Sequence, residues 1–193
     1  MKTFLFGIAI VAATFTGCSN NNNQSEESSN AKSSDTAQKD TDVTASEQHP
    51  ASANEVVASY LQLKNALAND NANEAATAGK AIADGIQKMD GSSLTAEQKK
   101  VFDDVKDDMK EHGEHISNNA TKIAHQREHF ETLSSDMYDL VKAFGSGQTL
   151  YKDHCPMYNG GKGADWLSEV KEIKNPYLGK KMPGCGTVKE EIK

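Results

Sequence analysis

Two short strings near the end of the chain, His154-Cys155-Pro156-Met157 and Met182-Pro183-Gly184-Cys185-Gly186, each offer a thiol and a thioether, the first with an imidazole beside them. Soft sulfur donors select Cu(I), and added imidazole extends the range to Cu(II) or zinc, so the mixture points to copper before zinc or silver. Four more donors sit upstream in two closely spaced pairs, His112 with His115 and His125 with His129. Residues three or four apart share a helix face, so each pair can present both rings to one ion. The same two cysteines support a reading without metal. If Cys18 is consumed elsewhere, the remaining pair in an oxidising compartment suits a disulfide closing about 30 residues, worth roughly 3 to 4 kcal/mol in the chain-entropy model.

The string His125-Gln126-Arg127-Glu128-His129 also fits the H-x-x-E-H pattern of one metalloprotease class. Such enzymes need a larger catalytic domain and a distant third ligand. No nucleophile with a base, phosphate loop or paired carboxylates stands out either, so no enzymatic activity is expected. With 21 basic against 28 acidic side chains, the chain is a poor nucleic-acid partner, while its acidity favours cations only weakly.

The elements that must position these donors follow from periodicity. The first residues are a leader: Lys2, an apolar run from Phe4 to Phe15, then Thr16-Gly17-Cys18. That run falls short of the roughly 20 apolar residues a spanning helix requires. A small residue before cysteine is the pattern of lipoprotein processing, so residues 1–17 are expected to be removed and Cys18 to be lipidated. The protein would then hang from a membrane of a bacterial envelope, facing the periplasm or in the outer membrane. Residues 18–52 carry almost no apolar side chain and read as a disordered tether, with ends roughly 30 to 35 Å apart. Residues 53–193 are enough for one domain.

Within that domain, Val56, Val57, Tyr60, Leu61, Leu63 and Leu67 recur at helical spacing over Asn54 to Ala68, and Ala78, Ile82, Ile86 and Met89 continue after the turn-prone Asn69-Asp70-Asn71. Thr95 with Gln98 forms a capping box that opens a third helix, striped by Val101, Phe102, Val105, Met109 and Ile116. Ile123, Phe130, Leu133, Met137, Leu140, Val141 and Phe144 define a fourth, stopped by Gly145. No run alternates as a strand would. The expectation is therefore an all-α, up-and-down four-helix bundle. A glycine- and proline-rich C-terminal segment, anchored by Trp166 and Tyr151, Tyr158 and Tyr177, would wrap over it, and only Ala164 to Lys174 suits a short helix. Rotation about each helix puts His112 inside its apolar stripe, His115 on the flank, His129 at the border and His125 towards solvent.

The strings His125 to Phe130 with Leu133-Ser134, Tyr151, His154-Cys155-Pro156-Met157, Gly163-Ala164, Trp166-Leu167-Ser168, Ile173, Asn175-Pro176-Tyr177, Gly179, Met182 and Cys185-Gly186 together resemble the domain of unknown function 3347. That family occurs as small lipoproteins and as a C-terminal extension of periplasmic adaptors in copper and silver efflux. The resemblance runs from about Val56 to Ile192. It implies heavy-metal handling, with candidate ligands at Cys155, Met157, Met182, Cys185, His125 and His129. The complete expectation is an envelope lipoprotein that binds a soft metal ion, copper favoured, through His115, His125, His129, His154, Cys155, Met157, Met182 and Cys185, buffering it or handing it to an efflux system. The competing expectation is a metal-free interaction module stapled by Cys155 and Cys185.

Overall fold

Residues 51–193 are described by the structure, a computed structural model, and they belong to one compact unit. The expected leader, Cys18 and the tether up to residue 50 lie outside the described residues. Helix α1, Ala51–Ala68, turns at Asn69 to Asn71 into α2, Ala72–Lys88. Asp70 takes a positive φ there, and the Asn71 side chain accepts from the Glu74 backbone N–H to start α2. Helix α3, Ala96–Asn118, opens on the reciprocal capping box of Thr95 and Gln98. A four-residue link leads to α4, Ile123–Phe144, which ends where Gly145 adopts φ 74°. Consecutive helices pack on one another, and α1 also touches α4. The stripes read from the sequence form the core: Val56, Tyr60, Leu63, Leu67, Ile82, Ile86, Met109, Ile116, Phe130, Leu133, Met137 and Leu140 are all buried. Among the described residues, no helix is long and apolar enough to cross a membrane.

The backbones of α2 and α3 cross in close contact at two glycines. A Cβ added to Gly79 would sit 2.7 Å from a methyl of Ile116, and one added to Gly113 would sit 2.8 Å from the Gly79 carbonyl oxygen. This approach seats Ile116 in the core and leaves the flanking His112 and His115 on the side that meets α4.

The all-α expectation fails after Gly145. What was expected to wrap as an irregular segment is a three-stranded antiparallel sheet in the order β2-β1-β3, with β1 at Leu150–Cys155, β2 at Ala164–Ser168 and β3 at Thr187–Ile192. The stretch expected to suit a short helix holds strand β2 instead. The sequence concealed these strands because their inward positions break the apolar alternation: on β1 the buried residues are Leu150, the acidic Asp153 and Cys155, and a bulge at Lys152/Asp153 shifts the period. Strand β3 is an edge with Lys189, Glu190 and Glu191, charges that guard against unwanted pairing.

Polar bonds fix the sheet to the helices. The Leu167 backbone N–H donates to Tyr60 Oη at 3.0 Å, and that hydroxyl lies 2.8 Å from Ser134 Oγ, joining β2, α1 and α4. Lys64, fully buried, meets Glu169 at 2.8 Å. Burial pushes the Lys64 pKa down, and the bond to Glu169 opposes this. Arg127 donates to the carbonyls of Pro176 and Leu67 and to Asp70, tying the loop before β3 to the α1–α2 corner.

Candidate metal centre

The turn between α3 and α4 brings four histidines together at one end of that helix pair. Gln126 holds the geometry: buried, it donates to the carbonyls of Ile116 at 3.0 Å and Ala72 at 2.9 Å, fastening the start of α4 to the end of α3 and the start of α2. With the helices so fixed, His112 faces His129 with their Nδ1 atoms 2.9 Å apart, and His129 Nε2 lies 3.2 Å from His125 Nε2. The rings of His115 and His129 stack with centroids 4.4 Å apart.

Ligand nitrogens of His115, His125 and His129 all lie within 4.8 Å of one another, the one grouping of at least three His, Cys, Asp or Glu donors with metal-site spacing among the described residues. Imidazoles around a tetrahedral ion at about 2.0 to 2.1 Å stand about 3.3 Å apart. His125 and His129 already have about that separation, and a ring nitrogen of His115 lies within 4.8 Å of both. His115 is exposed and the other two half-exposed, so an ion has direct access from solvent.

His125 and His129, whose Nε2 atoms face each other, each have a hydrogen-bond partner at Nδ1. Glu128 Oε2 lies 2.9 Å from His125 Nδ1, and Glu111 Oε1 lies 3.8 Å from His115 Nε2. His112 Nδ1 faces His129 Nδ1, so when His129 Nε2 binds an ion, His129 Nδ1–H donates to a neutral His112. An acceptor behind a ligating imidazole fixes its tautomer and orientation and raises its basicity. Burial lowers the pKa of both His112 and His129, and for His129 the neighbouring histidines lower it further, so both favour the neutral, ligating form.

The sequence singled out His115, His125 and His129, and the structure unites them. It also places His125 on this site, half-exposed, where rotation about the helix had turned it to solvent. Glu128 and Glu111 were not among the expected donors, and His112, expected to share an ion with His115, faces His129 instead. The signal of both glutamates was present as three- and four-residue spacing from the ligand histidines. Glu128, which fits the base position of the protease pattern, is hydrogen-bonded to His125.

The remaining candidates lie elsewhere. His154 pairs across strands with Asp165, its Nδ1 2.6 Å from Asp165 Oδ1, and its ring packs so close to Gly163 that a Cβ there would come within 2.6 Å. Cys155 is buried at the end of β1, and its Sγ lies 3.3 Å from Sγ of Cys185, both as free thiols. Burial raises the Cys155 pKa, but donors from Cys185, the Met157 and Tyr158 backbone and the Asn175 side chain outweigh it and leave the thiol below its ordinary value. Cys185 is pushed up by its hydrogen bond to Cys155. Met157 is 57 % exposed, and Met182 is half-buried beyond the short 3₁₀ turn Gly179–Lys181. No described hydrogen bond, ring contact or ligand grouping joins the sulfur donors or His154 to the helical histidines.

Residues 56–149 match the family described as "Protein of unknown function (DUF3347)". The match covers all four histidines and stops before β1, so both cysteines fall beyond it. No curated protein and no solved structure matches the chain.

Proposed function

From the premise that residues 56–149 belong to the DUF3347 family, whose description leaves its activity open, we propose that this chain is a bacterial envelope lipoprotein that binds a transition-metal ion at His115, His125 and His129. Copper is favoured over zinc or silver, and the role is to buffer the ion or pass it to an efflux system. One observation carries the reading: three imidazoles on two helices converge, and His125 and His129 each have a hydrogen-bond partner at Nδ1. Imidazole suits copper and zinc alike. The tail sulfurs form a separate pair that adds no ligand to this group, so the preference for copper rests on their presence in the same chain. Anchoring through Cys18 would keep the site within a tether's length of a membrane.

The test is titration of the full chain carrying Cys18→Ser with Cu(II) and with Zn(II) against a competing chelator, following the ion spectroscopically. One ion per chain is expected. His129→Ala is expected to weaken binding by at least about a hundredfold, because it removes a ligand together with its contact to His112. Unchanged stoichiometry and affinity in the His115→Ala/His125→Ala/His129→Ala triple variant would overturn the proposal. A second reading, a disulfide-stapled interaction module, is favoured by the 3.3 Å separation of the two thiols. It gains if the triple variant binds as the parent does and both thiols are oxidised in protein taken from the envelope.

A further inference from the structure

The cysteine pair is unequal in a way a static staple does not require. Cys155 Sγ sits at the base of the pair, its residue wholly buried, with the backbone N–H groups of Met157 and Tyr158 and the Asn175 side chain directed at it. Cys185 is half-exposed, in the turn between Met182 and β3, next to Gly184, where an added Cβ would meet nothing within 4 Å. The frame around both sulfurs is complete while they are thiols. Asn175 donates to the Cys185 carbonyl at 2.5 Å, its backbone N–H donates to the Pro183 carbonyl, and β3 pairs with β1 from Thr187 onward opposite His154. Closing the 3.3 Å separation to the roughly 2.0 Å of a disulfide bond is a change of little more than about 1 Å between the sulfurs.

We propose that Cys155 and Cys185 form a reversible dithiol–disulfide couple, with Cys185 reacting with an incoming disulfide and Cys155 resolving it. The Cys185 thiolate attacks one sulfur of a partner disulfide RSSR, forming the Cys185–SR bond and releasing RS⁻. The Cys155 thiolate then attacks Cys185 Sγ, forming the internal disulfide and releasing the second RS⁻. The chain loses two electrons, the partner disulfide gains them and leaves as two thiols, and the two protons of the original thiols pass to the released thiolates. The recognised chemistry is an accessible disulfide, whether in a small molecule or in another protein. The couple is independent of the histidine site.

The single tryptophan reports on it, since Trp166 packs against Gly186, next to Cys185. The full chain with Cys18→Ser, treated with chelator to remove metal, would be equilibrated in mixtures of oxidised and reduced glutathione and, in a second arm, with a disulfide-bonded peptide. A single reversible transition in tryptophan fluorescence that coincides with the loss of two thiols is expected. The faster arm identifies the source of the disulfide. Cys155→Ser should trap a mixed disulfide on Cys185, whereas Cys185→Ser should react at Cys155 at least about tenfold more slowly, because the complete burial of Cys155 limits access more than its lower pKa favours attack. Equal trapping rates in the two single variants would overturn the division of roles. Thiols that stay free across the whole series, or a bond that no thiol in it reduces, would overturn the couple itself. Circular dichroism of each variant checks that slow reaction does not reflect unfolding.

Discussion

Two groups of soft or borderline donors occupy this domain, and they are assembled by different means. The four histidines lie on adjacent helices joined by a four-residue link, spaced three or four apart on each, so helical spacing and the packing of one hairpin set their directions. The two sulfurs are 30 residues apart and meet only because β1 and β3 pair through the centre of a sheet. The histidine group is half-open, with ring nitrogens facing one another, and the sulfur pair is set against a buried strand end. Donor types whose spatial relation the sequence left open therefore form two separate groups in the fold, imidazoles at the helix ends and thiols at the sheet.

This division can be broken by experiment. The largest effect is expected behind the ligands, where Glu128→Gln and His112→Ala should each weaken ion binding about 10- to 100-fold without removing a ligand. Cys155→Ser should leave it within about twofold, as independent sites do. If the cysteine variant weakens binding as much as Glu128→Gln, the two groups are one site after all. Next comes Gly113→Ala, which pushes a methyl into the Gly79 carbonyl and should cost roughly 1 to 3 kcal/mol in denaturant unfolding. Because the added methyl meets α2 and is remote from β1 and β3, it should leave the sulfur couple unaffected.

The smallest expected effect concerns pH, which should act on the two regions in opposite directions. His112 and His129 are shifted below 6.5 chiefly by burial, so the unfolded chain binds more protons there and stability falls as pH drops through that value. Asp153, on the central strand, is raised by burial from 3.8 to about 7. The folded chain therefore keeps its proton longer than the unfolded one, and this contribution is lost as pH rises across that window. Melting temperatures measured over pH 4 to 8 should show Asp153→Asn flattening the loss towards neutral pH and a His112→Ala/His129→Ala variant flattening the loss towards acid. Parallel curves for Asp153→Asn and the parent would refute the assignment for the sheet.

How much could be read beforehand follows from the same division. Each helix carried a periodic stripe and a local stop, such as the Thr95–Gln98 box or Gly145, and the histidine spacing could be projected onto those stripes. The strands carried no comparable signal. Their buried positions include Asp153 and Ser168, and Lys64 is buried beneath them because Glu169 reaches it across more than a hundred residues of chain. A charge buried by a distant partner reads in sequence as a surface residue. Asp153 is a different case, buried with neither oxygen hydrogen-bonded to a described residue, so no neighbour along the chain marks it as an inward position.

The histidine cluster spans only residues 112–129. Contacts between near neighbours form quickly, while a sheet that joins distant segments forms late. Under the proposed envelope location and ion binding, a chain exported from its N-terminus would present the complete helical hairpin before β3 had emerged, so an ion would meet its site on a half-delivered polypeptide. Loading would then precede maturation, and the metal itself would help hold the hairpin while the rest of the domain arrives.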